Sequence, residues 1–258
     1  MRTPPLDLLL DDADLVAVMK PAGLATIPGR AEDDADDNVL ERVGRQLHLP
    51  TAGSADPRVR VVHRLDKDTS GVLLFAKHTA AQRHVCGQFH DNTTEKQYLA
   101  LVAGRPDADE GTIDAPLGPH PNGSRRMAVV RKGGREAITQ WRVEARYRDY
   151  TLLQVLPKTG RTHQIRVHLE SIGLPLAIDP LYHPTGPGHA TGIWLSKFKR
   201  DYRPNRHERE RPLIDRLTLH AERLRVAHPS DGHIVELIAP PPKDFRATVN
   251  MLGRHSAR

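Results

Sequence analysis

The chain has 258 residues, 38 Lys and Arg against 32 Asp and Glu, a net charge of +6 with neutral histidines, 38% hydrophobic residues and one cysteine, Cys86. That supply of apolar side chains supports a core and excludes a wholly disordered chain, no apolar run nears the roughly 20 residues of a membrane span, and the first residues lack the basic start and cleavage site of a secretion signal, so a cytoplasmic protein is expected. A lone cysteine excludes an internal disulfide, and the charge is segregated: residues 1–50 hold 5 basic and 10 acidic groups, residues 123–148 hold 8 and 2, and a second basic cluster fills 197–211, a pattern that points to a polyanion such as nucleic acid.

In chain order, DLVAVM at 14–19 predicts a strand and KPAG at 20–23 a turn, followed by an acidic loop. Asp36 is a candidate cap for a helix that places Val39, Leu40, Val43 and Leu47 on one face. The apolar runs 59–62 and 71–76 predict strands, with the polar segment 63–70 between them forming a loop at a sheet end, where sites tend to lie. Thr79 is the expected cap of a helix over 79–90, in which Cys86 is a small buried side chain. Further strands are predicted at 97–102, 137–147, 151–156, 213–226 and 234–238, and helices at 161–172, stopped by Gly173 and Pro175, and at 243–252 with Phe245, Val249 and Leu252 inward. Residues 183–212, rich in Pro, Gly and Arg, read as a long basic insertion. Strands outnumber helices without strict alternation, and no composition break divides the chain. The expectation is therefore α+β: a single domain over 1–258, core about 10–246, with a large mixed, mostly antiparallel sheet and flanking helices.

The densest set of reactive groups is His63-Arg64-Leu65-Asp66-Lys67-Asp68-Thr69-Ser70-Gly71. Asp66 stands beside a buried strand end, where a carboxylate is costly unless paired, and the predicted helix after residue 160 supplies Arg161 and Arg166 as possible partners. Spacing alone also permits a plain charged turn held by Asp and Ser hydrogen bonds.

HRLDKDTSG at 63–71 closely resembles the catalytic-aspartate motif of the RluA-type pseudouridine synthases. MKPAGL at 19–24, KQYLALVAG at 96–104, TGRTHQIRVHLESIGLPL at 159–176 and LTLHAERL at 217–224 resemble further motifs of that family, in its order. The resemblance implies a cofactor-free and metal-free synthase on a pseudouridine-synthase-type domain, acting as a monomer on a stem-loop of transfer RNA, large-subunit ribosomal RNA or both. It implies Asp66 as the essential aspartate, Tyr98 as the aromatic that packs on the target base, Arg166 as the arginine that ion-pairs with Asp66, and Arg64 as the side chain that flips the base or fills its place. His63, His163 and His168 are expected to be structural hydrogen-bonders. Lys197, Lys199 and Arg200 of the insertion, with Arg161, are the expected RNA contacts.

The chain departs from the pattern at Ile178, where the family commonly has glycine before Asp179. Only about ten residues precede the first predicted strand, so an appended S4-type RNA-binding domain is expected to be absent. Three rival readings are weaker. A non-catalytic RNA-binding protein would not need Asp66, Tyr98 and Arg166 together. A carbohydrate hydrolase pairing Asp66 with Asp68 or Glu95 is disfavoured by 2 Trp and a basic charge, and a metal hydrolase, suggested by 15 His, lacks an HExxH pattern.

Overall fold

The computed structural model describes residues 4–28, 37–51, 53–122, 126–183, 191–199, 201–202 and 210–256. Contacts group the chain into two compact units, Met1–Gln97 with His220–Pro240, and Tyr98–Leu219 with Pro241–Arg258. Two of the three borders fall inside strands, β5 (Glu95–Ala103) and β11 (Leu219–Ala227), where no linker marks them in the composition, and the third falls within the proline run at 240–242.

The first unit is built on β4 (Ser70–Ala76), whose seven residues are all buried. Elements cover both of its faces, which is why SGVLLFA is continuously apolar instead of alternating. Antiparallel β2 (Leu15–Lys20) pairs along it from Leu15↔Ala76 to Lys20↔Gly71 and carries β1 (Leu8–Asp11) on its other edge. β11 joins β4 in parallel at His220↔Ser70 and continues antiparallel with β12 (Ile234–Ile238), while short β3 (Arg60–Val61) pairs with the far end of β4. Helix α2 (Thr79–His90) lays Ala81 and Val85 on Leu15, Ala17, Val72, Leu74 and Ala76, with Cys86 half-buried at the margin. Helix α1 (Val39–Leu47) buries Val39, Leu40 and Val43.

The second unit takes up β5 from Tyr98 onward and adds β10 (Tyr150–Pro157), β9 (Ile138–Arg146) and β6 (Glu110–Asp114), each antiparallel to its neighbour. β10 alternates half-buried and buried positions along its whole length. One face packs Leu153 and Val155 with Ile165 and Leu169 of α3 (Gln164–Ser171), and a second cluster gathers Leu101, Ile193 and Ile214 with Phe245 and Leu252 of α4 (Lys243–Ser256). A hairpin of β7 (Leu117–Pro119) and β8 (Met127–Val129) completes it. The class is the expected α+β one, with mostly antiparallel pairs and a single parallel pair among the described strands.

Local expectations fail where side chains intercept the backbone. The cap of α1 is Asn38, whose Oδ1 accepts from Glu41 N–H, whereas Asp36 lies outside the described residues. The cap of α2 is His78, not Thr79, through its Nδ1 and Ala81 N–H. Helix α3 starts three residues late because Gln164 Oε1 accepts from the Arg161 amide and Thr159 Oγ1. His163 enters the helix with φ of 56°. Residues 213–218 are not strand: Thr218 Oγ1 accepts from Ile178 N–H and donates to the Leu101 carbonyl, and Ile193↔Ile214 is an isolated bridge. Within the insertion, Leu195–Lys197 form a short 3-10 turn beside buried Phe198, while Arg200, 184–190 and 203–209 lie outside the described residues.

Candidate active site

In the first unit, residues 62–69 link β3 to β4, whose first two residues, Ser70 and Gly71, end the motif. Asp66 opens a tight turn in which its carbonyl oxygen accepts from Thr69 N–H at 3.1 Å. Ser70 Oγ lies 2.9 Å from His220 Nδ1; because His220 Nε2 donates to the Ala239 carbonyl, Nδ1 is the acceptor and Ser70 the donor. Gly71 has φ of 127°, and a Cβ there would stand 2.1 Å from the Ala221 carbonyl oxygen, where β4 and β11 run side by side. The serine and glycine of the motif thus close the strand pairing behind Asp66.

The KPAG segment supplies the other side of this seat. Lys20, fully buried at the end of β2, donates through Nζ to the Lys67 carbonyl at 2.6 Å and to the Pro21 carbonyl at 2.9 Å. Gly23 N–H donates to the same Lys67 oxygen at 3.0 Å. Thr26 Oγ1 clamps Leu65, donating to its carbonyl at 2.9 Å and accepting from its amide at 3.3 Å. The backbone is therefore held on both sides of Asp66, which fixes where its carboxylate starts from. Removal from water, with Lys96 nearby, pushes His63 down to about 3, so it is neutral. Its Nε2 accepts from Leu74 N–H at 3.0 Å and its ring stacks on Phe89 with centroids 4.7 Å apart. Arg64 is exposed.

In the second unit, Tyr98 lies half-buried on β5 opposite Val155 and packs on the cluster that contains Leu153 and Ile165. Arg166, buried on α3, meets Asp179 in two parallel bonds, Nε to Oδ2 at 2.8 Å and Nη2 to Oδ1 at 2.7 Å. Asp179 Oδ1 also accepts from the Leu181 and Tyr182 amides. The Tyr182 ring faces the Arg166 guanidinium at 4.9 Å and that of Arg126 at 5.1 Å, and its hydroxyl accepts from Met127 N–H. The Asp179 carboxylate and the Tyr182 ring thus hold Arg166 in one orientation. Ile178 needs no glycine: it is buried, outside the positive-φ region, and exchanges bonds with Thr218.

The histidines serve structure as expected. His163 Nδ1 lies 2.7 Å from Tyr182 Oη, and His168 Nε2 donates to the Ala115 carbonyl while Nδ1 accepts from Thr139. Burial pushes His168 below its ordinary value. Arg161 donates through Nε to the Glu136 carbonyl, and Lys197 and Lys199 are exposed. What sequence reasoning missed is the support that Lys20 gives the motif turn and Asp179 gives Arg166. A lysine that closes an otherwise apolar strand and opens KPAG, and an acid after the run at 174–178, were the available signals.

Residues 14–171 match the family model described as RNA pseudouridylate synthase. The chain is 39% identical over 249 residues to the ribosomal large subunit pseudouridine synthase D of Nitrosomonas europaea, spanning 96% of this chain and 65% of that protein. It is 37% identical to the enzyme of the same name from Xanthomonas campestris pv. campestris, spanning 98% of this chain and 71% of the relative. Among solved structures it is similar to human RNA pseudouridylate synthase domain containing 4, with a TM-score of 0.69, 26% identity and coverage of 95% and 92% of the two chains.

Proposed function

This chain belongs to the RNA pseudouridylate synthase family, of the RluA type, and from that premise we propose that it isomerises uridine to pseudouridine in a stem-loop of large-subunit ribosomal RNA. The observation that carries this reading is the seat of Asp66: a motif turn whose flanking carbonyls and amides are held by Lys20, Gly23 and Thr26. Ribosomal RNA is favoured over transfer RNA because both relatives described above are named for it.

The reaction breaks the N1 to C1′ and C5 to H bonds and makes C5 to C1′ and N1 to H bonds, the C5 hydrogen leaving to solvent as a proton and N1 gaining one, so atoms balance with no second substrate. Asp66 is the essential carboxylate, Tyr98 the face that holds the detached uracil near C1′, and Arg166 the cation of the set. Keeping both fragments together gives the rebonding step a high effective concentration. Base extrusion costs a few kcal/mol, least in a loop, and Arg64 acts in that step. Arg161, Lys197, Lys199 and Arg200 grip phosphates. The protein works as a monomer in the cytoplasm without a cofactor; no described helix is long and apolar enough to cross a membrane.

The test is tritium release from RNA carrying 5-tritiated uridine, on separate ribosomal and transfer RNA pools, with wild type and Asp66→Asn. Release from ribosomal RNA by wild type alone is expected. Release from the transfer RNA pool instead would change the substrate, and binding without release from either pool would favour an RNA-binding protein on the same fold.

A further inference from the structure

At the far end of β2 from Lys20, three turns of the first unit converge. The β1–β2 turn brings Asp12 and Asp14, the residue before α2 is His78, and the β11–β12 turn begins with buried His228. His228 Nε2 lies 3.2 Å from Asp12 Oδ2 and 3.9 Å from Asp14 Oδ2, and ligand atoms of the three residues all fall within 4.8 Å of one another. A tetrahedral Zn2+ with N and O ligands at about 2.0–2.1 Å requires ligand atoms about 3.3 Å apart. The trio approaches that spacing with its side chains already in place.

Each candidate ligand is held through its other polar atom. Asp12 Oδ1 accepts from the Asp14 and Leu15 amides at 2.8 Å, which leaves Oδ2 toward His228. Asp14 Oδ1 lies 2.6 Å from His78 Nε2; since His78 Nδ1 accepts from Ala81 N–H, Nε2 carries the hydrogen and donates. His228 Nδ1 lies 2.7 Å from Ser230 Oγ and accepts a longer bond, 3.3 Å, from Ser230 N–H. Such outer partners orient metal ligands and fix their tautomers. Lys77 is engaged by the Asp11 carboxylate and the Asp12 carbonyl. We propose that Asp12 Oδ2, Asp14 Oδ2 and His228 Nε2 form a zinc site that staples these turns together, with water as fourth ligand.

The charges and protons balance. Two carboxylates neutralise the dication, and the neutral His228 ring moves its hydrogen from Nε2 to Nδ1, where Ser230 Oγ accepts it and the long bond from Ser230 N–H is given up to solvent. An imidazole with two carboxylates suits Zn2+ better than Mg2+ or Ca2+, which take sets of oxygens. The site stands a six-residue strand, about 20 Å, from the Lys20 end of β2, so its effect is on stability and not on isomerisation.

The test uses the full chain, freed of metal by chelation. Titration calorimetry with ZnCl2 is expected to give a single site per chain, and the melting temperature to rise by about 5 °C or more at saturation. MgCl2 is expected to do neither. Asp12→Asn and His228→Gln should each weaken zinc binding at least about tenfold, while Asp231→Asn, in the neighbouring group with His233, should leave it unchanged. Co2+ added to wild type should show the intense visible absorption of four-coordinate cobalt, a readout independent of how the variants fold. No saturable binding, binding indifferent to Asp12→Asn, or loss on Asp231→Asn in place of Asp12→Asn would each overturn the proposal.

Discussion

Gly71 sits where β4 and β11 approach most closely, and the position tolerates no side chain: the backbone needs positive φ and the Ala221 carbonyl occupies the Cβ space. Gly71→Ala should cost about 3 kcal/mol through strain and overpacking, read as an earlier urea midpoint. A variant as stable as wild type would mean the strands are not so close. Asp179 acts differently, through Arg166. Asp179→Asn removes the charge opposite a buried guanidinium and should cost about 3–5 kcal/mol. The loosened arginine should lower kcat about a hundredfold with KM little changed, and Asp179→Glu should restore part of it. Unchanged kcat in a folded Asp179→Asn protein would sink the positioning role. His63 predicts a pH dependence. Its folded value, about 3, lies below the ordinary 6.5. The folded state therefore keeps it neutral while the unfolded chain takes up a proton below about 6.5. Its contribution is complete above that pH and is lost as pH falls, by at most about 1.4 kcal/mol per pH unit. His168 shifts in the same direction. Between about pH 6.5 and 5.5, above the range where ordinary carboxylates titrate, urea midpoints should fall, and less steeply in His63→Gln. A flat wild-type profile would contradict the burial of both rings.

At the scale of elements, the 3-10 turn Leu195–Lys197 is anchored by buried Phe198 and by the Ile193↔Ile214 bridge, so Lys197 and Lys199 project from a held base. Replacing Lys197, Lys199 and Arg200 together by alanine should weaken RNA binding and flatten the dependence of log Kd on log salt by about 0.7–0.9 per lost phosphate contact. An unchanged slope would remove the turn from the RNA interface. The same scale shows what the sequence could reveal. β4 and β10 were legible because burial imposes an apolar run or an alternation on residues adjacent in the chain. Helix α2 was legible to the residue at both ends, yet its cap was misread, since His78 is not a typical capping side chain. β1, β6, β7 and β8 left no clear period because three to five residues hold too few buried positions. The loop around Asp66 was recognisable as a motif, but its supports were not: Lys20 and Lys67 are 47 residues apart and meet only when β2 pairs with β4.

For the whole molecule, the charge follows the two units. The first carries 14 basic and 18 acidic groups, net −4, and the second 24 and 14, net +10, which together make the +6 of the chain. A polyanion is therefore drawn to the second unit over and above any single contact, while the first, which carries the motif loop, repels it on average. Long-range attraction of this kind depends on the unit that bears the charge more than on the residue. Arg131→Glu with Lys132→Glu, both exposed in the second unit, should raise the Kd for RNA severalfold and reduce its salt dependence. The same charge reversal at exposed Arg58 and Arg83 of the first unit should change Kd less than half as much on a logarithmic scale. Equal losses from the two pairs would mean that net charge alone, not its division between the units, sets the attraction to RNA.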